Sequence, residues 1–113
     1  MEMKLTELAG PVTRVALHGR LDAAGADRLG LPFTSNVVSV GRNAVVDLSG
    51  VTFVASLGLR LLIGSARALQ NKGCQLVLFG ASELVQGIFD DAALDQILTL
   101  TQTEGEALAA LGR

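Results

Sequence analysis

Tryptophan and tyrosine are absent from this chain of 113 residues, cysteine and histidine occur once each, and proline occurs twice. Its four aromatic rings are all phenylalanine, a composition poorly suited to stacking on nucleobases or sugars. Cationic side chains are few: nine Lys and Arg against eleven Asp and Glu leave a formal charge of −2. No basic cluster of the kind that neutralises phosphates is present, so direct nucleic-acid binding is not expected. The lone Cys74 has no partner for an internal disulfide and opens an apolar strand, which reads as a buried or half-buried thiol in a reducing cytoplasm. His18 has no Cys, His or carboxylate at ligand spacing, so neither a metal site nor a nucleophilic triad is expected. No G-x-x-x-x-G-K-[ST] loop and no G-x-G-x-x-G turn is found, and no cofactor is implied.

Long hydrophobic runs are missing as well. The uncharged stretch over residues 48–59 has only twelve residues and two glycines, whereas a spanning helix needs about 20 apolar residues. Met1 to Glu7 lacks the basic and apolar regions of a secretory signal. The expectation is a cytoplasmic protein without membrane insertion, and with no catalytic constellation it is not expected to be an enzyme.

What is present is an apolar half of the composition arranged in short periodic segments. A chain of this length fits one domain, residues 1–113, whose folding buries roughly two-thirds of the unfolded surface. Residues 3–8 and 12–18 flank Gly10-Pro11 and read as an antiparallel hairpin. Asp22 is a plausible cap for an Ala-rich helix that runs to Leu31 and is interrupted by Pro32. Residues 33–43 fit either a helix continuing past a kink or a loop. Residues 44–48 read as a buried strand, and Leu59, Leu62, Ile63, Ala66 and Leu69 recur at helical spacing up to Asn71-Lys72-Gly73. A strand over 75–79, a helix from Ser82 to Phe89, a short strand over 96–100 and a helix from Thr103 to Leu111 complete the pattern. Strands alternating with helices predict βαβ units: an α/β fold with a mixed, mostly parallel sheet of four to five strands, about four helices and an N-terminal β-hairpin. The loops leaving the carboxyl ends of the strands would gather Gly19-Arg20-Leu21-Asp22, Thr52 to Ser56 and Gly80-Ala81-Ser82 on one rim, where such folds meet ligands and partners.

The most informative stretch is Asp47-Leu48-Ser49-Gly50-Val51-Thr52-Phe53 followed by Ala55-Ser56-Leu57-Gly58-Leu59. Here a strand passes through a polar turn into a helix, and Ser56 is predicted as its N-cap. The positive end of the helix dipole favours an anion at that place, including a phosphate on the serine. This stretch resembles the STAS domain, the family of the anti-sigma factor antagonists and of the cytoplasmic ends of sulphate transporters, in which a D-L-S-x-V-x-F-like turn precedes D-S-S-G-L. Gly19-Arg20-Leu21-Asp22 and Gly80-Ala81-Ser82-Glu83-Leu84-Val85, with Ile88-Phe89 and Leu94, also fit, so the resemblance spans nearly the whole chain. Ala55 stands where the family carries Asp, Leu57 where many members carry a second Ser, and Arg60 where the residue is usually small.

The resemblance implies that Ser56 is a phosphoacceptor. The implied function is that of an anti-sigma factor antagonist, which binds an anti-sigma factor with serine kinase activity while Ser56 is unmodified. A PP2C-type phosphatase would reset it. The partner-binding surface would comprise Arg20, Asp22, Ala55, Leu57, Gly58, Arg60 and Ser82. Plainer structural roles stand beside these: Ser56 and Asp22 as helix caps, Asp47 as a hydrogen-bonding anchor, Gly58 as a site of tight packing, and Arg60 as a solvated cation. The alternative function is a noncatalytic subunit of a cytoplasmic ABC-type lipid transport complex, which would need no phosphorylation.

Overall fold

In the computed structural model, which describes residues 1–111, the elements run β1 (Glu2–Leu8), β2 (Val12–Leu21), α1 (Ala23–Phe33), β3 (Asn43–Val54), α2 (Ser56–Asn71), β4 (Leu76–Phe79), α3 (Glu83–Asp91), β5 (Thr99–Thr101) and α4 (Glu104–Ala110). The five strands lie in sequence order in one sheet. β1 and β2 form an antiparallel hairpin, and every later pair is parallel. This is the α/β architecture that the alternation of patterns predicts.

The sheet has two unequal cores because its strands point side chains to both faces. On one face Val15, Leu17 and Leu21 of β2, Val46 and Leu48 of β3 and Leu78 of β4 pack under Leu29 and Phe33 of α1, Leu62 and Leu69 of α2, and Val85 and Phe89 of α3. Each fully buried Leu, Val or Phe there stabilises the fold by roughly 1.5–3 kcal/mol. On the other face Val12, Val45, Val77 and Phe79 meet Ala107 and Leu111, with Leu8, Leu108 and Ala110 packed half-buried against them. Arg14 fastens this thinner layer. It bonds Glu104 at the start of α4 at 2.9 Å and Asp47 of β3 at 3.1 Å, and it lies 5.7 Å from the centre of the Phe79 ring. Asp47 thus has the anchoring role predicted for it. Burial pushes its carboxyl up, but the Ser49 N–H and the Arg14 guanidinium outweigh that and hold it below the ordinary value.

β3 is the element that differs most from its sequence reading. It runs on to Val54 instead of ending at residue 48, so the supposed polar turn is strand. Its pairing with β2 slips twice: Ala16 faces Asp47, His18 faces Gly50, and Arg20 faces Phe53. β3 therefore carries one more residue than β2 at each slip, and each extra residue reverses the alternation of faces. Buried Leu48, Val51 and Val54 consequently recur every third residue on a single face. That broken alternation hides the strand from a period-two search. β2 likewise extends to Leu21, which places His18 within a strand rather than at its end.

Pro32 lies inside α1 rather than ending it. The chain continues directly into a π-helical stretch, Thr34–Val38, so the helix-past-a-kink alternative holds for residues 33–38. The Ser39 N–H reaches the Thr34 carbonyl at 2.9 Å, the i to i+5 bond of a π turn. The last strand is shorter than expected, because Leu94–Gln96 forms a 3₁₀ turn before β5 begins at Thr99. α4 is opened by a reciprocal capping box between Thr103 and Glu106.

Candidate functional site

α1 and α2 start side by side at the carboxyl ends of the neighbouring strands β2 and β3. Leu21 and Val54 are paired residues there, and the Ala55 N–H donates to the Leu21 carbonyl at 2.9 Å. Both helices carry glycine as their third residue. A Cβ on Gly25 would lie 2.2 Å from the Arg20 carbonyl oxygen, and one on Gly58 would lie 2.6 Å from both the carbonyl oxygen and the Cγ of Leu21. Both are closer than any side chain tolerates, so the glycines let the helix ends press on the strand end. Of the two roles considered for Gly58, tight internal packing is the one observed.

The two helix ends differ in their caps. Asp22 is the N-cap of α1, and its carboxylate accepts from the Gly25 N–H at 2.9 Å. That bond, assisted by Arg20 3.4 Å away, holds the Asp22 carboxyl below its ordinary value. Arg20 also lies over the Phe53 ring at 4.7 Å. At α2 the N-cap is Ala55, not Ser56, and it makes no side-chain capping hydrogen bond. Ser56 is instead the first helical residue and is exposed. The hydroxyl is moved one position from the expected one because β3 continues to Val54, leaving a single extended residue before the helix. Ala55, which stands at the Asp of the motif that this stretch resembles, therefore occupies the one place where a carboxylate would cap this helix.

The remaining predicted residues divide. Leu57, at 47% exposure, lines a shallow groove with Arg60 and Leu61 of α2 and with Ala23, Ala26 and Asp27 of α1. Arg60 also borders a second groove toward Thr34 and Val38, and no ion pair is formed by it among the described residues. Ser82 caps α3, accepting from the Val85 N–H at 3.2 Å. The segment before it sits elsewhere than expected: Gly80 lies beside Asp47 and Ser49, upstream of the last stretch of β3 that carries the chain to Ser56. The structure thus brings together two of the three rim segments, and Gly19 to Leu21 and Thr52 to Val54 are strand rather than loop. Cys74 is half-buried, with its thiol 3.1 Å from the Gly41 carbonyl. Among the described residues no cluster able to hold a metal ion occurs, and no helix is long and apolar enough to cross a membrane.

A charge division went unremarked in the sequence reading although the residues state it. Residues 1–72 carry eight Lys and Arg against five Asp and Glu, while residues 73–111 carry six acidic side chains and no Lys or Arg. The surface around Ser56 belongs to the first part and α3 to the second. Counting charge by halves would have exposed this.

Comparison with known proteins agrees with this geometry. The anti-sigma-B factor antagonist of Listeria monocytogenes is 30% identical over 92 residues, spanning 81% of each chain. The crystal structure of an anti-sigma factor antagonist from Mycobacterium paratuberculosis superposes with a TM-score of 0.86 at 24% identity, covering 99% of this chain and 94% of that one. The phosphorylated form of the Bacillus cell fate determinant SpoIIAA gives a TM-score of 0.69 at 20% identity, covering 96% and 98%. With the STAS domain family matching residues 4–107, and with the sequential sheet and the β3–α2 junction in place, the chain belongs to the STAS domain family.

Proposed function

We propose that the protein is an anti-sigma factor antagonist whose hold on an anti-sigma factor is controlled by phosphorylation of Ser56. The observation that carries this reading is the exposed Ser56 hydroxyl on the first turn of a 16-residue helix whose N-cap, Ala55, supplies no side-chain acceptor. The first amides of α2 and the positive end of its dipole are thus free of competition from a cap. A phosphate on Ser56 would add about −1.5 to −2 charges and three acceptor oxygens. In the free protein that charge is favoured. Against a docked partner the same charge must be desolvated, and a differential cost of about 3 kcal/mol corresponds to more than a hundredfold in affinity. A partner with serine kinase activity, opposed by a PP2C-type phosphatase, completes the cycle.

The test has two stages. Incubation with the cognate kinase and ATP, followed by mass spectrometry, should place the phosphate on Ser56, and modification of Ser49 or Thr52 instead would overturn the assignment. Calorimetry with the anti-sigma factor should then show Ser56→Asp binding at least tenfold more weakly than wild type while Ser56→Ala stays within a few-fold. Equal affinities for the two variants would favour the ABC-type lipid transport subunit, in which this serine serves only to open the helix.

A further inference from the structure

We propose that the outer face of α3 is a docking surface for a basic amphipathic helix of a partner protein. Leu84, Gly87, Ile88 and Asp91 fall at the spacing of one helix face, and with Glu83 they line a shallow depression on the surface. Leu84 is 60% exposed, and Ile88 is half-buried beside it. Leu84 and Ile88 thus give the outer side of α3 an apolar strip, opposite the buried Val85 and Phe89.

Gly87 is the second observation. In mid-helix a glycine costs up to about 1 kcal/mol relative to alanine. At Gly25 and Gly58 that cost is explained by the strand beneath, but a Cβ on Gly87, like one on Gly30 of α1 or Gly64 of α2, meets nothing within 4 Å, and of these three Gly87 is the one set in the depression beside Leu84 and Asp91. Nothing inside the chain requires a bare position there. A second helix crossing the face would, because the missing side chain forms the floor on which its backbone settles.

Charge selects the occupant. Glu83 and Asp91 line the face and Asp90 follows on the same helix; none is ion-paired among the described residues, and Asp90 accepts from Gln86 of the same helix at 3.0 Å. The surrounding stretch, residues 73–111, offers no Lys or Arg to balance them. An anionic lipid surface is repelled by this arrangement, whereas a helix with Leu or Ile on one side and Lys or Arg on its flanks matches it in both respects.

The experiment uses two synthetic helical peptides with the same Leu/Ile face, one flanked by Lys and Arg and one by Glu, titrated into the ¹⁵N-labelled protein at low and high salt. The basic peptide should shift amides within residues 83–91 and weaken several-fold in high salt. Leu84→Ser should weaken it at least tenfold, and the doubly neutralised Glu83→Gln, Asp91→Asn protein several-fold. Both alter exposed side chains, so the fold is retained. Gly87→Ala should raise Tm and weaken the peptide together, and a raised Tm with unchanged binding would remove the close-approach argument. Ser56→Asp should leave the titration unchanged, which separates this surface from the phosphorylation reading. Shifts centred on α1 and α2, equal binding of both peptides, or no binding of the basic one would overturn the proposal. Self-association of the free protein abolished by Leu84→Ser would also overturn it, by making the occupant a second copy.

Discussion

α1 and α2 begin in nearly the same way and end up with different chemistry at their tips. Each leaves the end of a parallel strand through one extended residue, and each bears glycine third, against the carbonyls that close β2. At α1 the extended residue is Asp22, whose carboxylate satisfies the first turn and is itself steadied by Arg20. At α2 it is Ala55, which makes no side-chain capping hydrogen bond. The shared glycines therefore belong to the architecture, and the differing caps determine where charge can be added. A helix end that already holds a carboxylate has little to gain from a second anion, while the uncapped one gains from the first.

The comparison breaks most severely at the shared glycines. Gly25→Ala should destabilise the protein by about 3 kcal/mol, the upper part of the range for overpacking, because the new methyl meets a backbone carbonyl that cannot rotate away. Urea unfolding should show a lower midpoint with an unchanged slope. Gly58→Ala should cost slightly less, about 2 kcal/mol, since part of its obstruction is the movable Leu21 side chain. A neutral result at both sites would mean that the two helices are not pressed on the strand end.

Making the caps alike gives the next largest effect. Ala55→Asp should stabilise the unmodified protein by about 1 kcal/mol by supplying the missing acceptor, seen as a raised urea midpoint. It should also blunt the stabilisation that phosphorylated Ser56 gains from the helix end. An increase without that competition would separate capping from phosphate binding.

Acid titration sharpens the contrast from the other side. The Asp22 carboxyl is held below its ordinary value, first by the Gly25 N–H. Its contribution is thus fully present above the unfolded value near 4 and is lost as the pH falls through the lower folded value. Asp22→Ala should lower Tm at pH 7 and converge on wild type in strong acid, whereas Ala55→Ser should show no such convergence. The smallest effect is assigned to Arg60, one helical turn beyond Ser56. A phosphate there should gain about 0.5 kcal/mol from this exposed cation at low salt and less at high salt. Unfolding free energies of wild type and Arg60→Ala, each with and without the phosphate, measure it, and equal changes in both backgrounds would show that Arg60 does not sense the phosphate.

The elements legible in the sequence are those with regular periods or an explicit cap: the hairpin around Gly10-Pro11, the apolar stripe of α2, and the Asp22 cap of α1. Residues 49–54 look like a turn because Ser49, Gly50 and Thr52 are turn-forming types, and because the slips against β2 replace alternation by a three-residue rhythm. The cap differs for the same reason: with the strand running to Val54, Ala55 alone stands between strand and helix and is the N-cap. The π-helical stretch was only half legible, because proline signals a break and does not say whether the chain stops or widens. The family motif located Ser56, but the meaning of Ala55 needed coordinates: as a missing carboxylate it was a departure from a pattern, and as an N-cap it is a vacancy for hydrogen bonds.

The double slip of β3 makes the junction a device of phase. From Asp47 onward, whether a side chain faces the helices or the opposite surface depends on the number of residues since the first slip, not on their chemistry. Removing Thr52 alone would keep every apolar residue and every motif letter that matters, yet would turn Phe53 and Val54 to the wrong sides and rotate the start of α2 with them. Length between Asp47 and Ser56 should accordingly be the least negotiable property of this chain: a substitution there alters one contact, while an insertion or deletion re-aims the hydroxyl itself.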